Sequence, residues 1–232
     1  MMKAIRDNIP NTITSLNLLC GCLACIAAFK CFQPFVGDFK GYQVAFILIA
    51  LAAVADFCDG LVARALHAES EIGAELDSLA DLVSFGIAPA MILFNLMVKC
   101  DAGGWAFAAM LLPVFGALRL ARYNVDPTQG TVFTGLPIPA HAIFWIGFTA
   151  WYATHDVPLW MVLTLIVVLS LLMVCRLRMF SLKMHNLASL SENWAQYLQV
   201  IATIAFVVFM KLPGLALAIT LYVLLSILKK EN

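Results

Sequence analysis

Charged residues are scarce in this sequence. Only 12% of its 232 residues are charged and 63% are hydrophobic, whereas soluble domains carry about 25% charged residues. A soluble globule of this size cannot bury so much apolar surface, and a disordered chain has the opposite composition. Fourteen basic residues balance fourteen acidic ones, so the positive excess typical of a nucleic-acid-binding protein is missing. The composition therefore predicts a membrane protein with several spans and no nucleic-acid partner.

The strict alternation of apolar and polar residues that marks a membrane β-barrel is also missing. Instead, eight apolar stretches approach the roughly 20 residues that a spanning helix needs. They cover about 11–31, 41–63, 78–99, 104–123, 137–154, 158–176, 195–211 and 213–228. With no internal repeat, we predict an all-α, polytopic helix bundle of about eight transmembrane helices in a single domain, residues 1–232. The longer polar stretch 176–194 is predicted to be a loop or a short surface helix.

Basic residues are unevenly distributed between the two ends of the spans, and this predicts the orientation. Ten lie on one side: Lys3, Arg6, Arg64, Arg119, Arg122, Arg176, Arg178, Lys183, Lys229 and Lys230. Four lie on the other: Lys30, Lys40, Lys99 and Lys211. Both termini are therefore expected in the cytoplasm. Residues 1–10 are polar and the first apolar run is long, so we expect no cleavable signal peptide.

The seven cysteines lack the spacing of a metal site or a disulfide framework. Cys22 and Cys25 form one Cys-x-x-Cys pair within a predicted span, but no second pair stands at a matching distance. We interpret them as small residues that pack in an apolar environment.

Acidic residues are concentrated in one short region, since seven of the fourteen lie within 56–81. Asp56 and Asp59 lie three apart near the cytoplasmic end of the second span, and Asp77 and Asp81 lie four apart at the start of the third. Each pair therefore shares one helix face. Two antiparallel helices joined by a short turn can bring all four carboxylates together at the cytoplasmic edge of the membrane.

Four neighbouring carboxylates repel one another in a low dielectric, so a cation is expected to hold them. Oxygen ligands select Mg²⁺, Mn²⁺ or Ca²⁺, and four carboxylates suffice for a two-metal site that binds a pyrophosphate. Gly60 allows a phosphate to approach the backbone, and Arg64, one turn further on, can contact the same phosphates. The alternative is ordinary interfacial charge, which we assign to Glu69, Glu71 and Glu75. Carboxylates at membrane depth are more often functional.

These residues resemble the signature of the CDP-alcohol phosphotransferases, Asp-x2-Asp-Gly-x2-Ala-Arg-x8-Gly-x3-Asp-x3-Asp. Its positions are met by Asp56, Asp59, Gly60, Ala63, Arg64, Gly73, Asp77 and Asp81. The resemblance implies a six-helix catalytic core, here about residues 8–190, followed by two additional spans at about 195–228. It also implies a homodimer.

The resemblance further implies a role for each site residue. The metal ligands are expected to be Asp56, Asp59, Asp77 and Asp81, holding two divalent cations. Asp81 is also expected to be the catalytic base that deprotonates the acceptor alcohol. The residues expected to contact the CDP moiety are Pro10, Asn11, Gly60, Arg64 and Ser70.

Further segments resemble one branch of that family, the membrane-integral phosphatidylserine synthases. They are the stretches at 9–14, 77–89, 118–124 and 135–140. The resemblance implies CDP-diacylglycerol and L-serine as substrates, phosphatidylserine and CMP as products, and a cytoplasmic-facing site in a prokaryotic cell membrane. Two alternatives stay open. One is a different acceptor, glycerol 3-phosphate or inositol, and the other is a cation transporter or channel that uses the same aspartates.

The predicted acceptor pocket contains Ser84, Arg119, Arg122 and Asn124. The two arginines lie three apart on one helix face and can bind the carboxylate of serine. They can equally be snorkelling anchors on the cytoplasmic side. Asn124 adds polarity beside them. Ser84, one turn after Asp81, either shapes the pocket or permits close helix packing.

Overall fold

A computed structural model describes residues 2–68, 70–125, 134–180 and 193–228, with side chains from residue 8 onward. Most of these residues are helical, which confirms the all-α class. The helices are α1 (Met2–Phe29), α2 (Gly41–Leu66), α3 (Glu71–Asp81), α4 (Ala88–Lys99), α5 (Leu111–Val125), α6 (Ile138–Tyr152), α7 (Leu159–Val174), α8 (Trp194–Met210) and α9 (Gly214–Leu228). The chain forms two compact units, Met1–Leu120 and Ala121–Asn232.

In the first unit, α1 and α2 form the most extensive helix contact. A small antiparallel hairpin joins them, with strands β1 (Pro34–Val36) and β2 (Phe39–Lys40). Gly37 has a φ of +55° in the turn of this hairpin, a conformation that glycine adopts without strain. A β-carbon on Gly41 would collide with backbone carbonyl oxygens at the end of α1. This glycine therefore lets the two helices approach closely.

Helices α3 and α4 belong to one helical run, interrupted by a π-helical segment at Leu82–Ile87. Ser70 caps the run, because its hydroxyl accepts a hydrogen bond of 3.1 Å from the Gly73 amide. The π segment begins directly after Asp81 and is followed by Pro89 in the first turn of α4. A proline ring collides with the carbonyl group four residues earlier, which here lies within the π segment. The proline thus provides a local reason for the wider turn.

Four helical runs are long and apolar enough to cross a membrane: Asn8–Phe29, Gly41–Leu66, Glu71–Lys99 and Gly103–Val125. The last of these opens with a 3₁₀ segment at Gly103–Met110. Three shorter apolar helices follow, α7, α8 and α9. The chain is therefore an integral membrane protein. All eight predicted stretches coincide with described helices, but the number of complete spans stays a prediction.

In the second unit, α9 packs against both α6 and α8. A β-carbon on Gly147 of α6 would collide with the backbone of Ala216 in α9, so these two helices meet at a small residue, as membrane helices often do. Gln199 of α8 donates a hydrogen bond of 2.9 Å from Nε2 to the carbonyl oxygen of Ala218. These contacts give the last two helices a packing role within their own unit.

Some sequence predictions fall on residues outside the described part of the chain. These are the side chains of Lys3 and Arg6, the whole of Glu69, Lys183, Lys229 and Lys230, and most of the polar stretch 176–194.

Candidate active site

The candidate site begins at the C-terminal end of α2. Asp56 and Asp59 lie on this helix with Gly60 and Arg64, and α2 is capped after Leu66 by His67, whose backbone is left-handed with φ 48°. Only a few residues separate it from the start of α3 at Glu71. After this turn α3 packs against α1, and Asp56, Asp59 and Asp77 of the two helices face a common space.

Three of the four predicted metal ligands meet in that space. One carboxylate oxygen each from Asp56, Asp59 and Asp77 lies within 4.8 Å of the others. Asp59 is buried and the other two are half-buried. Oδ1 of Asp77 is buried and has no hydrogen-bond partner among the described residues. Three converging carboxylates, one with an unsatisfied buried oxygen, fit a hard divalent cation, so this cluster can hold a metal ion.

Asp81 lies one turn further along α3 and is only 8% exposed. Its Oδ1 accepts a hydrogen bond of 3.3 Å from Nδ2 of Asn17 in α1. It does not belong to the three-oxygen group described above. Asp81, the fourth predicted ligand, therefore shares α3 with Asp77. Its carboxylate is hydrogen-bonded to Asn17 and lies outside the three-oxygen group.

A cleft of about 300 Å³ adjoins the aspartates. It is lined by all five residues predicted to contact CDP: Pro10, Asn11, Gly60, Arg64 and Ser70. Asp59 and Asp77 line it as well. The structure thus brings together residues from α1, α2 and α3 that lie as far apart in sequence as Pro10 and Asp77.

The two signature glycines of the cleft have different surroundings. A β-carbon on Gly60 would meet only Nη2 of Arg64, at 3.8 Å. Among the described residues, no packing contact therefore requires a glycine there, and its small size leaves open space in the cleft. A β-carbon on Gly73 would lie 3.0 Å from both Oδ1 of Asn11 and Oγ of Ser70. Gly73 therefore makes room for two of the residues that line the cleft.

The predicted acceptor residues are placed differently. Ser84 is fully buried in the π segment and donates a hydrogen bond of 3.0 Å to the backbone oxygen of Asn17. A β-carbon on Gly21 would collide with Ser84. The hydroxyl of Ser84 therefore links the π segment to α1, at a point where the two helices lie very close together. This geometry favours the packing interpretation of Ser84, while its role in an acceptor pocket stays a prediction.

The two arginines and Asn124 lie on α5. Arg119 is half-buried, whereas Arg122 and Asn124 are exposed. Nη1 of Arg122 donates a hydrogen bond of 2.7 Å to the carbonyl oxygen of Val174, the last residue of α7. A cation at the C-terminal end of a helix is stabilised by the helix dipole. Arg122 thus has a structural contact, and the serine-pocket assignment of all three residues stays a prediction.

Sequence reasoning missed two polar residues of α1. Thr14 and Asn17 are buried, and each contacts one of the signature aspartates. Positions 10, 14, 17 and 21 share one face of α1, but Asn11, Thr12 and Ser15 on other faces are polar too. The sequence alone therefore does not single out Thr14 and Asn17.

The comparison with known families agrees with this geometry. The sequence profile described as "CDP-alcohol phosphatidyltransferase" matches residues 7–153, well over half of the chain. The chain belongs to the CDP-alcohol phosphatidyltransferase family. The matched residues include the whole cleft, all four aspartates and the π segment, and the resemblance inferred from the signature is confirmed.

Several curated relatives within the family carry the name CDP-diacylglycerol–serine O-phosphatidyltransferase. The protein of Mycobacterium leprae is 35% identical over 213 residues, covering 85% of this chain and 65% of the relative. That of Methanocaldococcus jannaschii is 38% identical over 149 residues, with 63% and 64% covered. That of Bacillus subtilis is 34% identical over 131 residues, with 56% and 69% covered. Against its mycobacterial relatives, the chain spans only 49% to 65% of their length.

Proposed function

We propose that this protein transfers the phosphatidyl group of CDP-diacylglycerol to the hydroxyl group of L-serine, giving phosphatidylserine and CMP. The observation that carries the proposal is the three-carboxylate cluster beside a cleft lined by every residue expected to contact CDP. The names of the bacterial and archaeal relatives support serine as the acceptor.

The cleft has the chemistry to bind a nucleoside diphosphate. Arg64 supplies a guanidinium group, which forms strong hydrogen bonds with phosphate oxygens. Gly60 leaves the backbone of α2 accessible, and Asn11 and Ser70 add polar side chains to the lining of the cleft. The acyl chains of the substrate remain in the bilayer. In this arrangement the lipid presents its head group to the cleft without leaving the membrane.

Asp56, Asp59, Asp77 and Asp81 would hold two divalent cations, which we propose to be Mg²⁺ or Mn²⁺, with Ca²⁺ as a third candidate. All four ligands offer carboxylate oxygens, the donors that these hard cations prefer. Such cations, when bound, neutralise negative charge that builds on the pyrophosphate group.

In the proposed reaction, Asp81 acts as the general base. Its carboxylate takes the proton of the serine hydroxyl, and the serine oxygen forms a bond to the β-phosphorus, which carries diacylglycerol. The bond from that phosphorus to the bridging oxygen breaks, and CMP leaves with the bonding electron pair. Arg64 stabilises the negative charge on the leaving phosphate. One base is sufficient, and no protein nucleophile is needed.

The acceptor side of the site is proposed to contain Ser84, Arg119, Arg122 and Asn124, with the arginines binding the carboxylate of serine. We further propose a single integral membrane domain, a core at about 8–190 with two added spans, and a homodimer. From the distribution of basic residues we propose that both termini and the site face the cytoplasm, and the bacterial and archaeal relatives support a prokaryotic cell membrane.

The test is an assay of purified protein with CDP-diacylglycerol and three acceptors side by side: serine, glycerol 3-phosphate and inositol. We expect CMP release and a new lipid with serine only. Product with another acceptor would replace serine in the proposal, and no CMP release with any acceptor would refute it in favour of a transporter or channel. Asp59→Asn should be inactive, whereas Asp38→Asn, at an exposed position in the distant hairpin turn, should match the wild type.

A further inference from the structure

Helix α1 presents two buried polar side chains to the acidic site. Thr14 is 3% exposed and Asn17 is not exposed at all. A buried polar group in a membrane helix is destabilising unless it is hydrogen-bonded. Here each side chain contacts a different aspartate, on a different helix. These contacts, rather than the packing of α1 itself, give a reason for the polar residues.

Thr14 is bonded to Asp59. Its Oγ1 lies 2.6 Å from Oδ2 of Asp59 and 3.1 Å from the backbone oxygen of Pro10. A hydroxyl group has only one proton to donate, and the shorter, charge-assisted bond to the carboxylate is the stronger of the two. Thr14 therefore engages one carboxylate oxygen and fixes the orientation of the group. Asp59 also contributes one carboxylate oxygen to the cluster with Asp56 and Asp77.

Asn17 is hydrogen-bonded to Asp81 through its side-chain amide. Its Nδ2 donates to Oδ1 of Asp81 at 3.3 Å, whereas its own Oδ1 is buried with no hydrogen-bond partner within the described part of the chain. An unsatisfied buried acceptor destabilises the fold. The amide is thus turned so that its donor faces the carboxylate, although its acceptor remains unsatisfied.

The π segment helps to hold Asn17 close to Asp81. Ser84, three residues after Asp81, donates to the backbone oxygen of Asn17, and Gly21 leaves the space that this close contact needs. Both the side chain and the backbone of Asn17 are therefore tied to the helical run that carries Asp81. Small shifts of α1 would move the amide relative to the carboxylate.

We propose that Thr14 and Asn17 are positioning residues for the acidic site, Thr14 through Asp59 and Asn17 through Asp81. The inference rests on the proposed function for the role of these aspartates. Partners that orient metal-binding carboxylates typically change metal affinity or activity by about 10- to 100-fold when removed. The expected effects are a loss of metal affinity for Thr14 and a loss of turnover for Asn17.

The first test measures Mn²⁺ binding to the purified full chain by electron paramagnetic resonance. Thr14→Val keeps the shape of the side chain but removes the hydroxyl, and should weaken binding about 10-fold or more. Thr14→Ser should restore it. Thr12→Val is the matched control, because Thr12 is exposed on the same helix and its hydroxyl donates to the backbone oxygen of Asn8 instead of to an aspartate. Wild-type Mn²⁺ affinity in Thr14→Val, or an equal loss in Thr12→Val, would overturn the role of Thr14.

The second test measures steady-state kinetics at saturating Mn²⁺. Asn17→Leu should lower kcat by about 10- to 100-fold with little change in the KM for CDP-diacylglycerol. Asn95→Leu is its control, since Asn95 bonds within its own helix, to the backbone oxygen of Met91. If Asn17→Leu is not recovered folded, Asn17→Ala is held to the same criterion. An unchanged kcat, or a loss shared with Asn95→Leu, would overturn the role of Asn17.

The two readouts separate this inference from the proposed function. Binding of Mn²⁺ does not depend on the acceptor, so a wild-type protein that binds Mn²⁺ but forms no phosphatidylserine refutes the function and leaves the inference on Thr14 standing. If the wild type forms phosphatidylserine, and the Thr14 and Asn17 variants have wild-type Mn²⁺ affinity and kcat, the positioning roles are refuted and the proposed function stands.

Discussion

Replacement of Gly60 by alanine should raise the stability of the protein while weakening substrate binding. The new methyl group would meet only Nη2 of Arg64, at 3.8 Å, which is an ordinary contact. Alanine in place of glycine within a helix stabilises by up to about 1 kcal/mol. For a chain of this size, that corresponds to a rise in Tm of about 2–4 °C.

The same methyl group would occupy space in the cleft that we assign to the pyrophosphate. Overpacking a close contact costs about 1–3 kcal/mol, which corresponds to an increase in the KM for CDP-diacylglycerol of about 5- to 150-fold. The assay combines CMP release at varied CDP-diacylglycerol with thermal unfolding in detergent. Gly104→Ala is the control, because a β-carbon on Gly104 would meet no atom of the described residues within 4 Å, and Gly104 lies outside the cleft. An unchanged KM in Gly60→Ala, or a rise shared by both variants, would refute the assignment of the cleft.

Three further predictions concern the chemistry of the site. Asp81→Asn should abolish transfer while nucleotide binding, measured by calorimetry with CDP, is largely preserved; turnover near the wild-type rate would remove Asp81 as the base. Arg119→Ala or Arg122→Ala should raise the KM for serine more than that for CDP-diacylglycerol, and equal effects on both would favour the anchoring interpretation. Chelation by EDTA should abolish CMP release, with recovery on adding Mg²⁺ or Mn²⁺. Recovery with Zn²⁺ alone would contradict a site built only of oxygen ligands.

Much of the site could be predicted because its residues are close in sequence. Spacings of three and four place each aspartate pair on one helix face, and a short turn between two helices brings the faces together. The helical spacing and the short turn together predict the cluster of Asp56, Asp59 and Asp77. Pro10 and Asn11 lie far from it along the chain, and only the family resemblance indicated that they line the same cleft.

The contacts of α1 with the site depend on tertiary packing and could not be derived in the same way. Thr14 and Asn17 share one face of α1, but their partners are set by how α1 packs on α2 and α3. The π segment after Asp81 has only Pro89 as a local signal. For Ser84, sequence left packing and substrate binding equally open, and only the close approach of Gly21 distinguishes a packing contact.

Direct displacement on the β-phosphorus, with no covalent enzyme intermediate, is tested most directly by the stereochemistry of the reaction. CDP-diacylglycerol can be made chiral at that phosphorus with oxygen isotopes, and the configuration of the phosphatidylserine product can be determined by NMR. A single displacement by the serine oxygen predicts inversion of configuration. Retention would require two successive displacements through a protein nucleophile and would contradict the proposed mechanism.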